Sequence, residues 1–154
     1  MRVPEAFQSA FSKAQDYVSQ YFRERSEDPA KGYIEISGER YILVRAASMS
    51  REFFDLVSSI YHDRGEKEAR NVTFGFLFDI AHSIGKADAR RFFDRMGVNE
   101  PIEKLSAGPI HFSHTGWAFV EILPESSPTP DEDYYLVYDH PFSFEAHTWL
   151  ESGK

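Results

Sequence analysis

Four of the six histidines, His111, His114, His140 and His147, fall in one stretch with both tryptophans, Trp117 and Trp149. Imidazole changes charge near neutral pH and is the commonest nitrogen ligand of metals, so its spacing comes first. The stretch Ile110–Leu123 reads as a strand, on which His111 and His114, three apart, point to opposite faces. The nearest carboxylates are those of Asp139-His140 and Glu145-Ala146-His147, and neither gives a convincing ligand set. No metal site and no cofactor are expected. The sequence has no GxSxG elbow, HExxH, Walker loop or GxGxxG. Glu145, between Phe144 and Ala146, is the carboxylate in the most apolar context, but a helix cap or an arginine partner accounts for it. No catalytic residue is assigned, and the chain is not expected to be an enzyme.

The aromatic fraction is 16%, with 14 phenylalanines and 8 tyrosines. Rings beyond the needs of a small core imply a pocket for a flat apolar guest. The net charge of −8 argues against nucleic acid, because phosphate neutralisation needs clustered Lys and Arg. There is no cysteine, so disulfides, thiolate metal sites and a cysteine nucleophile are excluded, and a reducing, cytoplasmic setting fits. The N-terminal stretch has no uninterrupted apolar segment of the kind a signal peptide needs. No run approaches the ~18 apolar residues of a membrane span, so no membrane is expected as partner.

These rings need elements to position them. Phe7, Ala10, Phe11, Ala14, Val18 and Phe22 recur at spacings of three and four, a helical stripe over residues 4–25 with Pro4 suited to its first turn. The stripe fits a helix packed on its own domain, or an arm exchanged with a partner subunit. The segments Tyr33–Ser37 and Arg40–Arg45, flanking Gly38-Glu39, read as a hairpin with Ser37-Gly38 as a turn signal. Ser48 or Ser50 is suited to cap a helix containing Phe53, Phe54, Leu56, Val57 and Ile60. Glu66–Ile84 is apolar on nearly every side and reads as a buried helix. Gly85 is expected to end it and Gly97 to end the next, Lys86–Met96. Ser106-Ala107-Gly108-Pro109 signals a loop. The strand Ile110–Leu123, a polar loop at 124–132 and a strand Asp133–Asp139 follow; Pro141 then interrupts pairing, and Phe142–Leu150 resumes as strand or short helix. The fold class is α+β: an N-terminal helical arm, a β-hairpin, buried helices and a C-terminal antiparallel strand pair forming a mixed sheet. Two segments are expected, the arm at 1–31 and a domain at 32–154.

With these pieces placed, the chain resembles the N-terminal sensor region of the XylR/DmpR group, activators of aromatic catabolism. The resemblance runs from about residue 32 to 147. It is carried by GYIEISGERYILVRAASM at 32–49, Ala69-Arg70, Gly85-Lys86-Ala87-Asp88-Ala89, Gly108-Pro109 with Gly116, and Ser143-Phe144-Glu145-Ala146. It implies a sensor of phenols or alkylbenzenes, a homodimer built partly by the N-terminal segment, and a C-terminal output domain such as an ATPase or kinase. The family's two hydroxyl-holding positions, a His and a Trp, fall on Phe112 and Tyr138 here. The resemblance therefore points to a hydrocarbon ring, or to a ligand held by His114 and Tyr138. The family's zinc-binding cysteines lie downstream of the last motif, so this sequence either omits that half or is a shortened variant without zinc.

The expected pocket is lined by Leu105, His111, Phe112, His114, Trp117, Leu136 and Tyr138. Strand parity groups Phe112 with His114 and Leu136 with Tyr138 as two walls, with Leu105 closing one end. The expected partner is a small aromatic ligand. Rival readings are a structural or dimerisation module without a ligand, and an enzyme using Glu145 or His114 for proton transfer.

Overall fold

The computed structural model describes residues 3–97, 99–127 and 135–153. The chain is α+β: among the described residues it has five α-helices, a three-stranded and a two-stranded antiparallel sheet. It divides into two compact units. The first runs to Leu43 and resumes over Phe92–Ser143; the second comprises Val44–Arg91 and the segment from Phe144 onward.

In the first unit, helix α1 (Glu5–Arg23) buries the stripe its sequence announces, with Phe7, Phe11, Ala14, Val18 and Tyr21 turned inward. They pack with Ala107 and Ile110 of helix α4 (Pro101–Thr115), with Ile36, Phe92 and Ile122, into one core. Residues 1–31 are thus no separate segment, since α1 forms the core of the unit that also contains 33–43. Strands β1 (Arg25–Asp28), β2 (Tyr33–Ile36) and β3 (Glu39–Tyr41) form an antiparallel meander. The β2–β3 turn falls on the Ser37-Gly38 signal, one residue before the expected loop, and β3 ends at Tyr41, short of Arg45. Ser37 and Gly38 take φ of 48° and 78°, as a two-residue hairpin of the right twist requires. β1, from the polar sequence Arg-Ser-Glu-Asp, has no apolar alternation to announce it.

Two glycine signals mislead here. Gly85 does not end a helix, because α3 runs unbroken from Glu66 to Met96 and stops at Gly97, which takes a φ of 59°. Nor does Gly108-Pro109 form a loop, for both lie inside α4. Pro109 cannot donate the usual bond to the Leu105 carbonyl. Packing of Ser106, Ala107, Ile110 and His111 on the buried side outweighs that loss, as tertiary context commonly overrides propensity. Ser106 Oγ helps by donating to the carbonyls of Glu103 (2.6 Å) and Ala10 (3.3 Å).

The expected strand Ile110–Leu123 is therefore half helix. Only β4 (Ala118–Ile122) is extended, burying Ala118, Val120 and Ile122. It pairs with β5 (Tyr138–Ser143) in its own two-stranded sheet, not in a mixed sheet with the hairpin. The expected strand Asp133–Asp139 begins outside the described residues, and β5 lies later in the chain. Its register slips between Phe119 and Glu121, opposite His140 and Pro141. The expected interruption at Pro141 is thus a bulge within the strand.

The second unit contains α2 (Arg51–Ile60), the greater part of α3, and α5 (Phe144–Glu151). Its interior is small and partly polar. Val57, Ala69 and Thr73 are buried, Phe54 lies 5.5 Å from Phe74 and 5.3 Å from Trp149, and Ser50 Oγ is 2.7 Å from Thr148 Oγ1. Ser50 occupies the α2 N-cap position but spends its hydroxyl on Thr148 and the Ala46 carbonyl instead of a cap. Helix α3 is not the buried helix expected: Phe74, Phe76 and Phe78 are 52%, 45% and 67% exposed. A helix apolar all round needs cover all round, and this unit covers α3 chiefly at Ala69 and Thr73.

Candidate functional site

Because residues 110–115 are helical, His111 and His114 lie about 60° apart on one face of α4, not on opposite faces. Both meet Phe22, near the end of α1. His114 stacks on it in parallel, with centroids 5.0 Å apart and 7° between planes, and His111 is tilted at 5.6 Å. Phe92, from the last turns of α3, meets His111 edge-on at 4.7 Å, Tyr21 at 5.0 Å and Tyr17 at 6.1 Å. Tyr41 of β3 closes the ring, its hydroxyl 3.0 Å from that of Tyr21 and its ring 6.4 Å from Phe22. The cluster thus draws seven rings from four elements. At these spacings the rings fill the space between them.

His111 is buried to 6% exposure, and its pKa is lowered to about 4, first by burial and then by the nearby His114. At neutral pH its ring is uncharged, with one N–H and one lone pair. His114 is exposed, with Nε2 3.5 Å from Ser19 Oγ. Burial raises the pKa of Tyr17, and the Arg95 guanidinium opposes that shift. Arg95 also lies 5.7 Å from the Tyr21 ring and donates to the Ser37 carbonyl at 3.1 Å. The chemistry available is that of an apolar, aromatic lining with a neutral imidazole inside and an imidazole at the rim.

Of the seven expected lining residues, His111 and His114 join this cluster. Phe112 projects to another side of α4, 37% exposed, and pairs with Trp117 at 6.5 Å. The expected Phe112–His114 wall does not form, since positions two apart on a helix diverge by about 160°. Leu136 packs against the core. Tyr138 is 56% exposed and stacks on His140 at 5.1 Å, and Leu105 is 42% exposed. Tyr17, Tyr21, Phe22, Tyr41 and Phe92 went unassigned. Phe22 carried a signal, as the last ring of the α1 stripe.

Glu145 is exposed at the start of α5, as a cap or surface carboxylate would be. Among the described residues no group of three or more His, Asp or Glu side chains is placed to hold a metal ion. None of the helices there is long and apolar enough to cross a membrane. An open hollow of about 450 Å³ in the second unit is lined by Arg64, Gly65, Glu66, Lys67, Glu68 and Asn71, and no aromatic ring borders it. No family model, no curated protein and no solved structure matches this chain.

Proposed function

We propose that this chain is a regulatory sensing module for a small aromatic compound, acting through a dimer and an attached output module and not through catalysis. The observation that supports it is the ring cluster of Phe22, Phe92, His111 and His114. It presents apolar faces together with a neutral imidazole, the combination that binds flat guests. Phe22 and His114 form its outer layer, so a ring-sized ligand enters by displacing them and stacking over Phe92 and His111. Burying about 150–200 Å² of ring at ~25 cal/mol/Å² contributes roughly 4–5 kcal/mol before association costs. One hydrogen bond to His111 then orients a hydroxylated guest.

The test is thermal unfolding against a panel of phenols, benzoates and alkylbenzenes. A binder at tenfold excess over its Kd adds ~1.4 kcal/mol and raises Tm by about 3–6 °C. His111→Phe should shrink that shift for hydroxylated guests, and Phe22→Ala, which clears the outer layer, should enlarge it for the panel as a whole. No shift anywhere in the panel would sink the proposal. It would favour a second reading, a structural module without a ligand, which the close packing of the seven rings supports.

A further inference from the structure

One face of α3, half-exposed at its phenylalanines, has a pattern that pairs with itself. Phe74, Phe78, Ala81, Gly85 and Asp88 follow at spacings of four, three, four and three, the 3.5-residue period of a coiled-coil seam. Arg70 lies on the same line, four residues before Phe74. Phe74 and Phe78 are 52% and 67% exposed. A Cβ added at Gly85 would meet nothing within 4 Å.

We infer that residues 70–88 of α3 form an antiparallel, two-fold interface with α3 of a second copy of this chain. Reversed against itself, the seam sets Phe78 opposite Ala81 and Phe74 opposite Gly85, each ring facing a small residue. The same register brings Arg70 toward Asp88 at both ends, so charge matches as well as shape. A two-fold contact requires this kind of self-complementarity. At about 200 Å² per side chain, Phe74 and Phe78 together offer roughly 240 Å² per copy. The paired area is small beside the ~1,200 Å² or more of specific interfaces, so the dimer is a weak one. The inference rests on the dimer of the proposed function but not on its ligand, because these residues lie outside the ring cluster, so a failed ligand panel leaves it standing.

Sedimentation of the full chain over about 1–500 µM should show a monomer–dimer equilibrium. Phe78→Glu should raise its Kd at least about tenfold while leaving the monomer's circular dichroism unchanged. Gly85→Ala separates the interface from folding, since the added Cβ meets nothing within 4 Å in one copy but narrows the gap that takes the second copy's Phe74. Arg70→Glu and Asp88→Arg should each weaken association, and the double variant should restore it. The chain has no cysteine, so single cysteines at Asp79 and Arg90 take spin labels cleanly. In the antiparallel register the paired labels are offset along the axis by about 1.5 Å and about 30 Å respectively. A chain monomeric at the highest concentration, a dimer indifferent to Phe78→Glu and Gly85→Ala, or equal label separations would each overturn the inference.

Discussion

The two units of this chain spend their side chains in opposite ways. The first buries rings: Phe7, Phe11, Tyr21 and Phe92 are each under a tenth exposed and lie in one cluster. The second buries hydroxyls, at Ser50, Thr73 and Thr148, and leaves Phe74, Phe76 and Phe78 about half to two-thirds exposed. Burying apolar area is the main source of stability, whereas a buried hydroxyl roughly offsets its own desolvation when hydrogen-bonded. The first unit is therefore the stable scaffold and the second the element that opens at lower cost. Composition alone does not set this difference. Both units have ample phenylalanine, and only its placement on the inner face of α1 or the outer face of α3 distinguishes them.

The contrast can be broken most forcefully at Phe7, which is 1% exposed. Phe7→Ala should cost about 3–5 kcal/mol in urea unfolding; a cost below about 1 kcal/mol would show that the first unit's core is not the scaffold.

Next in size is the pH dependence set by His111. Its folded pKa, about 4, lies below the value of about 6.5 for an unperturbed histidine. The unfolded chain thus takes up a proton that the folded chain resists, so stability is present above pH ~6.5 and falls as pH drops toward 4. The loss approaches roughly 3 kcal/mol. His111→Phe should flatten that part of the profile, and an unchanged acid limb would remove His111 as its source.

Ser50→Ala tests the second unit. Loss of the 2.7 Å contact with Thr148 should cost about 1–2 kcal/mol. Trp149, which touches Phe54 in this unit, should report the change once Trp117 is replaced by Phe. With Trp149→Phe instead, Trp117 reports the first unit, and its transition should come at higher denaturant. Coincident transitions would dissolve the comparison into one cooperative fold.

The smallest effect is expected at Phe76, where Phe76→Ser should change monomer stability by no more than about 0.5 kcal/mol. A larger loss would mean that α3 is held by contacts its exposure does not reveal.

The first unit's half of this contrast was legible in the sequence; the second's was not, because a helix apolar on nearly every side reads as buried and α3 is exposed at Phe74, Phe76 and Phe78. The α1 stripe, the Ser37-Gly38 turn and the stop at Gly97 are local signals with local causes, and each was read correctly. Gly85 and Gly108-Pro109 carry the same kind of signal but sit where the helix continues, at Gly108-Pro109 because α4 packs on α1. That one error moved the candidate site. With residues 110–115 taken as a strand, His111 and His114 diverge and Phe112 joins His114. On a helix the two histidines converge on Phe22, and Phe112 turns away to Trp117. The remaining rings of the cluster come from α1, β3 and α3, up to 75 residues apart in sequence (Tyr17 to Phe92). No periodicity links such positions.

The bulge at His140-Pro141 has one more consequence, for how these molecules behave when crowded. β5 carries large apolar side chains in solvent, with Tyr138 56% and Phe142 75% exposed. A two-stranded ribbon of that kind offers its outer edge to any passing extended chain, the start of amyloid-like stacking. Pro141 removes a donor from the middle of that strand, and the slipped register twists it away from a flat template. A proline at that place is the kind of residue that makes a strand edge a poorer template for fibre growth.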